Sequence, residues 1–232
     1  MNKHVRSCFF FLFLLCLPFC LRAQDWCAGE CVADSIVASK PIGQWFTAQP
    51  VPAFVHKRMQ GRSYPADCPV PMDDLRYLRL LYRDAKGRAR KGEMVVNKEI
   101  AQDVIAIFRD LFRMCYPLER MQLIDDYDAN DERSMAVNNT SAFCFRAVAG
   151  SKRLSAHARG MAVDVNPLYN PCVRYRRNGS LWVQPAGGKQ YANRRNQTVY
   201  MISDTVVALF RKHGFRWGGA WRSVKDYQHF EK

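Results

Sequence analysis

Four residues in two short stretches could do chemistry together. Residues 155–166 read SAHARGMAVDVN, and residues 226–232 read DYQHFEK. The chain has only five histidines in 232 residues, and two of them, His157 and His229, stand in these stretches. If MAVDVN is a strand, alternation puts Met161, Val163 and Val165 on one face and Ala162, Asp164 and Asn166 on the other. The Asp164 carboxylate then sits on a small, polar face opposite an apolar one. Gly160 allows a tight turn just before the strand, so the His157 imidazole and the Asp164 carboxylate can meet. His229 is a third donor, from the end of the chain.

Two histidines and one aspartate make a catalytic zinc shell, because three protein ligands leave one coordination position open. Such a site also needs a carboxylate that accepts a proton from water and returns it to the leaving amine. Asp226, three residues before His229, is the candidate. Residues three apart on an ideal strand point to opposite faces, so Asp226 and His229 converge only across a bend or bulge. In the competing reading the histidines are hydrogen-bonded structural residues. His56 and His213 are taken that way, since His213 falls at a helix C-terminus where a cation is favoured. A cysteine peptidase built from Cys144, His157 and Asp164 is a further alternative. It is disfavoured because no helix N-terminus follows Cys144 to lower its pKa.

The elements that must hold these residues are mixed. LRYLRLLYRD (75–84) reads as a strand, AKGRARKG as a turn and EMVVN (93–97) as its hairpin partner. Asn97 can cap a helix from Lys98 to about Cys115, with Ile100, Val104, Ile107, Phe108 and Leu111 at helical spacing. Cys115 is expected as a buried free thiol. MQLIDDYD (121–128) reads as a strand, DANDERSMAVNNTSAF as a long polar loop of the kind that tends to be functional, and FCFRAV (143–148) as a short strand. A second helix is predicted from about Thr198 to His213, with Gly214 as its stop. FRWGG and DYQHFEK follow, the latter strand-like. Residues 24–70 are rich in Pro, Gly and polar residues and read as an irregular arm that buries Trp45 and Phe46. The main domain is placed at 71–232. Strands and helices without regular βαβ alternation imply an α+β fold with a central antiparallel sheet.

The N-terminus reads as a leader. Lys3, His4 and Arg6 precede the apolar run CFFFLFLLCLPFCL, and Ala23 offers a cleavage point, so residues 1–23 are assigned as a signal peptide. The run is too short and wrongly flanked for a stable membrane span. Cleavage would leave an exported chain, periplasmic or extracellular. Losing Lys3, Arg6 and Arg22 would lower the formal net charge from +14 to +11. A basic exported chain suits an anionic cell wall. The basic stretches at 83–91 and 174–177 are scattered and lack aromatics interleaved in a repeat, which argues against nucleic acid. A monomer is expected. Of nine cysteines, Cys8, Cys16 and Cys20 fall in the leader. The remaining six, Cys27, Cys31, Cys68, Cys115, Cys144 and Cys172, form an even set that suggests disulfides of unspecified pairing.

The two stretches also resemble a known family. SAHARGMAVDVN is similar to the SxHxxGxAxD motif of the M15 peptidases, the zinc D-Ala-D-Ala carboxypeptidases and their relatives. DYQHFEK resembles that family's closing (D/E)xxH. GFRWGGAWRSVKDYQHFE looks like the subgroup of D-alanyl-D-alanine carboxypeptidase-like proteins and L-alanyl-D-glutamate endopeptidases. The resemblance reaches back to about Leu75. It implies zinc at His157, Asp164 and His229, Asp226 as general base, and the small α+β fold shared with Hedgehog signalling domains. It implies peptidoglycan stem peptides as substrate, with a non-catalytic zinc-containing binding or signalling module as the alternative. Arg146 occupies the place of the family's substrate-side arginine, able to hold a peptide carboxylate or an oxyanion; a surface ion pair is the plainer role. Ser155 opens the motif and either hydrogen-bonds near the metal or shapes the turn. Ala220 departs from the acid expected in WGGDW, which bears on specificity.

Overall fold

The structure is a computed structural model that describes residues 26–147 and 153–232. The leader assigned to residues 1–23 lies outside the described residues, as does Val148 at the end of FCFRAV. The described chain begins with β1 (Cys31–Val32), α1 (Asp34–Ala38), β2 (Thr47–Pro50) and α2 (Ala53–Met59). A long hairpin follows, β3 (Leu75–Arg83) and β4 (Ala89–Asn97), and then α3 (Ala101–Arg113) and α4 (Asp131–Ala136). The second half holds β5 (Ala162–Asp164), β6 (Cys172–Tyr175), β7 (Leu181–Gln184), α5 (Asp204–Lys212), β8 (Arg216–Trp217), β9 (Lys225–Asp226) and β10 (His229–Glu231).

These strands form three antiparallel sheets, β1-β4-β3-β2, β5-β10-β8 and β7-β6-β9. Mixed helix with antiparallel sheet matches the predicted α+β class. The β3–β4 hairpin pairs all nine residues of each strand, and α3 lies against it. Leu78, Leu80, Val104, Ile107 and Phe108 are buried between them. At roughly 1.5–3 kcal/mol for each fully buried side chain, this layer is the main apolar anchor of the fold.

The described part of the predicted arm, residues 26–70, is more regular than its composition suggests. Pro41, Pro52 and Pro71 each precede a helical turn instead of ending one, since a fixed φ and a missing N–H cost little at a helix start. β1 and β2 add to the two edges of the hairpin. Arg58 of α2 pairs with the buried Glu93 at 2.6 Å. Trp45 and Phe46 are buried as expected.

Several predicted boundaries shift. The turn of the long hairpin spans only 84–88, closed by the Asp84 carboxylate, which accepts the backbone N–H groups of Lys86 (2.9 Å) and Arg88 (3.0 Å). Asn97 accepts the N–H of Glu99, and regular helix begins only at Ala101. Cys115 is exposed just beyond that helix, at a positive φ. MQLIDDYD is not a strand; Ile124–Tyr127 form a 3-10 turn. The polar loop contains α4, started by the Asn130 side chain, which accepts the Arg133 N–H at 3.0 Å. FCFRAV forms no named strand, because its N–H groups go to different segments: Phe143 to Val95, Cys144 to His157 and Phe145 to Ser63. The second helix starts at Asp204, with Ser203 as its cap, and Gly214 stops it at φ +81°. None of the six cysteines among the described residues is bonded to another.

Candidate metal centre

The three predicted ligands are delivered by separate devices. His157 lies in a 3-10 turn, Ala156–Arg159, whose first N–H groups are organised by Ser155. The Ser155 hydroxyl accepts the His157 backbone N–H at 3.2 Å, so Ser155 shapes the turn. Gly160 ends the turn at φ +69°, and a Cβ there would come within 2.6 Å of the Asn97 nitrogen; only glycine fits. The strand β5 then carries Asp164. Its partner β10 puts His229 directly opposite Asp164 in antiparallel register. Phe230 alternates to the other face and stacks on Phe210, with ring centroids 3.8 Å apart. That buried ring pins β10, so His229 and Glu231 face the site.

The ligand atoms converge. His157 Nε2 is 3.1 Å from His229 Nδ1 and 3.2 Å from Asp164 Oδ1, and His229 Nδ1 is 3.0 Å from the same oxygen. All three residues are buried. The far nitrogen of each imidazole meets an oxygen that can only accept. His157 Nδ1 is 2.6 Å from the Ala142 carbonyl, and His229 Nε2 is 3.4 Å from Glu231 Oε2. Those contacts place the ring protons on the far nitrogens. With the ring protons there, three lone pairs point at one another, an arrangement that either a metal ion or a proton satisfies. Ligands about 2.0–2.1 Å from a tetrahedral zinc lie roughly 3.3 Å apart, close to the spacing found. The donor set, two imidazoles and a carboxylate, suits zinc.

A proton competes for the same lone pairs. Burial alone would lower the His229 pKa, but hydrogen bonds to Asp164 and Glu231 outweigh it and push it up to about 10. Burial likewise favours the neutral form of Asp164, yet the two imidazoles hold its carboxyl well below the usual range.

Asp226 belongs to a different sheet. β9 pairs with β6, setting Asp226 opposite Cys172, whereas β10 pairs with β5. The chain crosses between the sheets at Tyr227 and Gln228, which is the bend required for residues three apart to converge. Gly218 makes room for it: a Cβ there would stand 2.6 Å from the Asp226 carbonyl oxygen and 3.2 Å from the His229 Cβ. Burial and the charge of Asp164 raise the Asp226 pKa, against the opposing pull of His229, His157 and the neighbouring Cys172 thiol. Asp226 Oδ1 is buried and has no hydrogen-bond partner among the described residues. A basic, incompletely solvated carboxylate of this kind fits proton transfer.

His157, Asp164, Asp226 and His229 all line one cleft of about 520 Å³, as do Arg146 and Ser155. Arg146 reaches it through an ion pair with Asp131 at 2.5 Å. Ala220 is exposed and does not line the cleft, although its neighbour Trp221 does, packing on His229 with centroids 5.3 Å apart. Cys144 is buried, and burial first of all pushes its thiol up to about 12. It is therefore a poor nucleophile, and His157 faces Asp164 and His229 instead.

Three residues of the site escaped the sequence reading. Glu231 could have been found, since it lies two residues from His229 and shares its face of β10. Asp131 and Cys172 gave no local signal, because their partners are distant in sequence.

Residues 149–232 match the family model described as D-alanyl-D-alanine carboxypeptidase, which supports the M15 peptidase family. The matched segment contains Ser155, His157, Asp164, Asp226 and His229; Arg146 lies just before it. No solved structure matches the chain significantly.

Proposed function

We propose that this chain, a peptidase of the M15 family, is an exported zinc enzyme hydrolysing peptide bonds in peptidoglycan stem peptides, of the D-Ala-D-Ala carboxypeptidase or L-Ala-D-Glu endopeptidase type. Its fold would be the small α+β fold shared with Hedgehog signalling domains. The observation that carries the reading is the convergence of three lone-pair donors beside an orphaned carboxylate oxygen in one cleft. His157, Asp164 and His229 would hold the ion. When bound, zinc would polarise the scissile carbonyl and acidify the attacking water. Asp226 takes the proton from that water and passes it to the departing amine. The Arg146 Nε is committed to Asp131, so its terminal nitrogens are what it offers to a substrate carboxylate or to the oxyanion. Ala142 and Glu231 fix the tautomers of the two imidazoles.

Export rests on the apolar N-terminal run and places the enzyme in the periplasm or outside the cell, where the wall is accessible. No helix among the described residues is long and apolar enough to cross a membrane. Incubating zinc-loaded protein with purified peptidoglycan, followed by mass spectrometry of the fragments, tests the reading. New peptide termini that disappear on chelation support it. Zinc-bound protein that leaves several wall types uncut would instead favour the binding or signalling module.

A further inference from the structure

A second pocket, of about 380 Å³, lies between the N-terminal arm and the β3–β4 hairpin. It shares no residue with the metal cleft and lies wholly outside the segment that matches the family model. Strand register builds its floor. Thr47 faces Arg79 across β2 and β3, and Lys91 of β4 faces Leu81, two residues on from Arg79. Residues two apart on a strand share a face, so Thr47, Arg79 and Lys91 come to one face of the sheet. Trp26 and Trp45 also line the pocket, with ring centroids 6.3 Å apart.

Three cations line this pocket against one acid. Lys91 pairs with that acid, Glu30, at 2.7 Å. Lys40 and Arg79 have no ion-pair partner among the described residues. Lys40 rests 3.7 Å from the centre of the Trp45 ring, and the Arg79 guanidinium lies 5.7 Å from that of Trp26. Glu93 stands directly opposite Arg79, but its carboxylate already accepts from Arg58 and Tyr77. The Arg79 Nε is buried and meets no acceptor among the described residues. A buried donor left unmet is costly, and an acceptor entering the pocket would satisfy it. Two unmatched cations in one pocket make it a site for an anion.

The rings indicate what carries the anion. Both indole N–H groups are committed inside the protein, Trp26 to the Gly92 carbonyl at 2.9 Å and Trp45 to the Val37 carbonyl at 3.2 Å. The half-buried Trp26 therefore offers apolar ring surface. Gln44 and Thr47, both exposed, add an amide and a hydroxyl that donate and accept. The volume is that of a ligand site, more than a free inorganic ion fills. This combination suits a sugar ring. Its C–H face packs on the indole, its hydroxyls meet Gln44 and Thr47, and an acidic substituent meets Arg79 and Lys40.

We propose that this pocket is a second binding site, for a saccharide unit bearing a carboxylate or a phosphate. Sharing no residue with the metal cleft, it would hold a polymer strand without entering the chemistry. The residues concerned are not used by the proposed hydrolysis, and the test needs no turnover.

Calorimetry on the full chain compares peptide-free peptidoglycan glycan strands, whose lactyl groups carry carboxylates, a sugar-phosphate teichoic acid, and a neutral N-acetylglucosamine oligosaccharide. At least one anionic probe should bind about tenfold more tightly than the neutral one, as an added charge-assisted contact provides, and rising salt should weaken it. The tighter of the two anionic probes identifies the source. Arg79→Gln should weaken that binding about tenfold, and Arg79→Lys should keep part of it. Lys40→Gln should weaken it about two- to fivefold. Lys40 is exposed and outside any helix or strand, so this variant decides the matter should Arg79→Gln fail to fold. Binding of neither anionic probe, equal binding of the neutral one, or an affinity unchanged in folded Arg79→Gln overturns the proposal. Polyglutamate bound as tightly as the saccharides would also reject it, in favour of charge alone.

Discussion

The two halves of the molecule are held together in different ways. The N-terminal half rests on nine-residue strands and an amphipathic helix, with β3, β4 and α3 sharing one buried layer. The half that carries the candidate metal centre has strands of only two to four residues. Its segments are joined instead by buried side-chain amides. Asn166, at φ 45°, donates to the Pro117 carbonyl at 2.9 Å and to the Tyr200 carbonyl at 3.1 Å. Asn170 donates to the Asn166 carbonyl at 2.9 Å and accepts from Arg194 at 2.8 Å. Long ladders give a rigid base. Short strands tied by amides can gather side chains from distant segments around one point, at the cost of depending on each tie.

The largest expected effect isolates chemistry from both scaffolds. Asp226→Asn should lower kcat by about 10²–10⁴ while zinc content, measured by elemental analysis, stays at the level of the unaltered protein. Loss of metal together with activity would mean that Asp226 supports the centre instead of moving protons.

The next pair contrasts the halves directly. Leu80→Ala in the fully buried ladder should cost about 2–5 kcal/mol in denaturant unfolding and leave the zinc affinity of the folded protein unchanged. Asn166→Ala should cost about 2–4 kcal/mol, since it strands several carbonyls and leaves alanine at a positive φ. It should also weaken zinc binding, because Asn166 follows Asp164 by two residues. Equal effects of the two variants on zinc would erase the contrast.

Glu231→Gln should loosen zinc by about 10–100-fold in a chelator titration, with thermal stability little altered. The smallest effect lies in the hairpin turn. Burial raises the Asp84 pKa, but the side chains of Arg90 and Arg88 and the turn's N–H groups outweigh it and hold the carboxyl well below the ordinary range. A depressed pKa contributes stability that is fully present above about pH 4, the unfolded value, and is lost as pH falls toward the folded one. Asp84→Asn should cost on the order of 1 kcal/mol at neutral pH and flatten the decline in melting temperature between about pH 4 and pH 2.

The same contrast explains what could be read from the sequence. The hairpin announced itself through two strand-prone apolar runs flanking a polar turn, and α3 through helical spacing, because local pattern and tertiary burial agree there. His157, Asp164, His229 and Asp226 were also legible, since the first two share one short motif and the others the closing one. The bend between Asp226 and His229 followed from strand parity alone. MQLIDDYD and FCFRAV failed as strands because propensity cannot say whether a neighbour offers a continuous ladder. α4 was hidden in polar residues, and with it Asp131, whose partner Arg146 comes from another segment.

The central claim is that His157, Asp164 and His229 close around a single divalent ion. Elemental analysis of purified, folded protein after equilibration with zinc and removal of the excess tests it most directly. One equivalent of zinc per chain, lost in His229→Ala with the fold retained by circular dichroism, is the expected result. A folded chain that retains no stoichiometric metal would contradict the account.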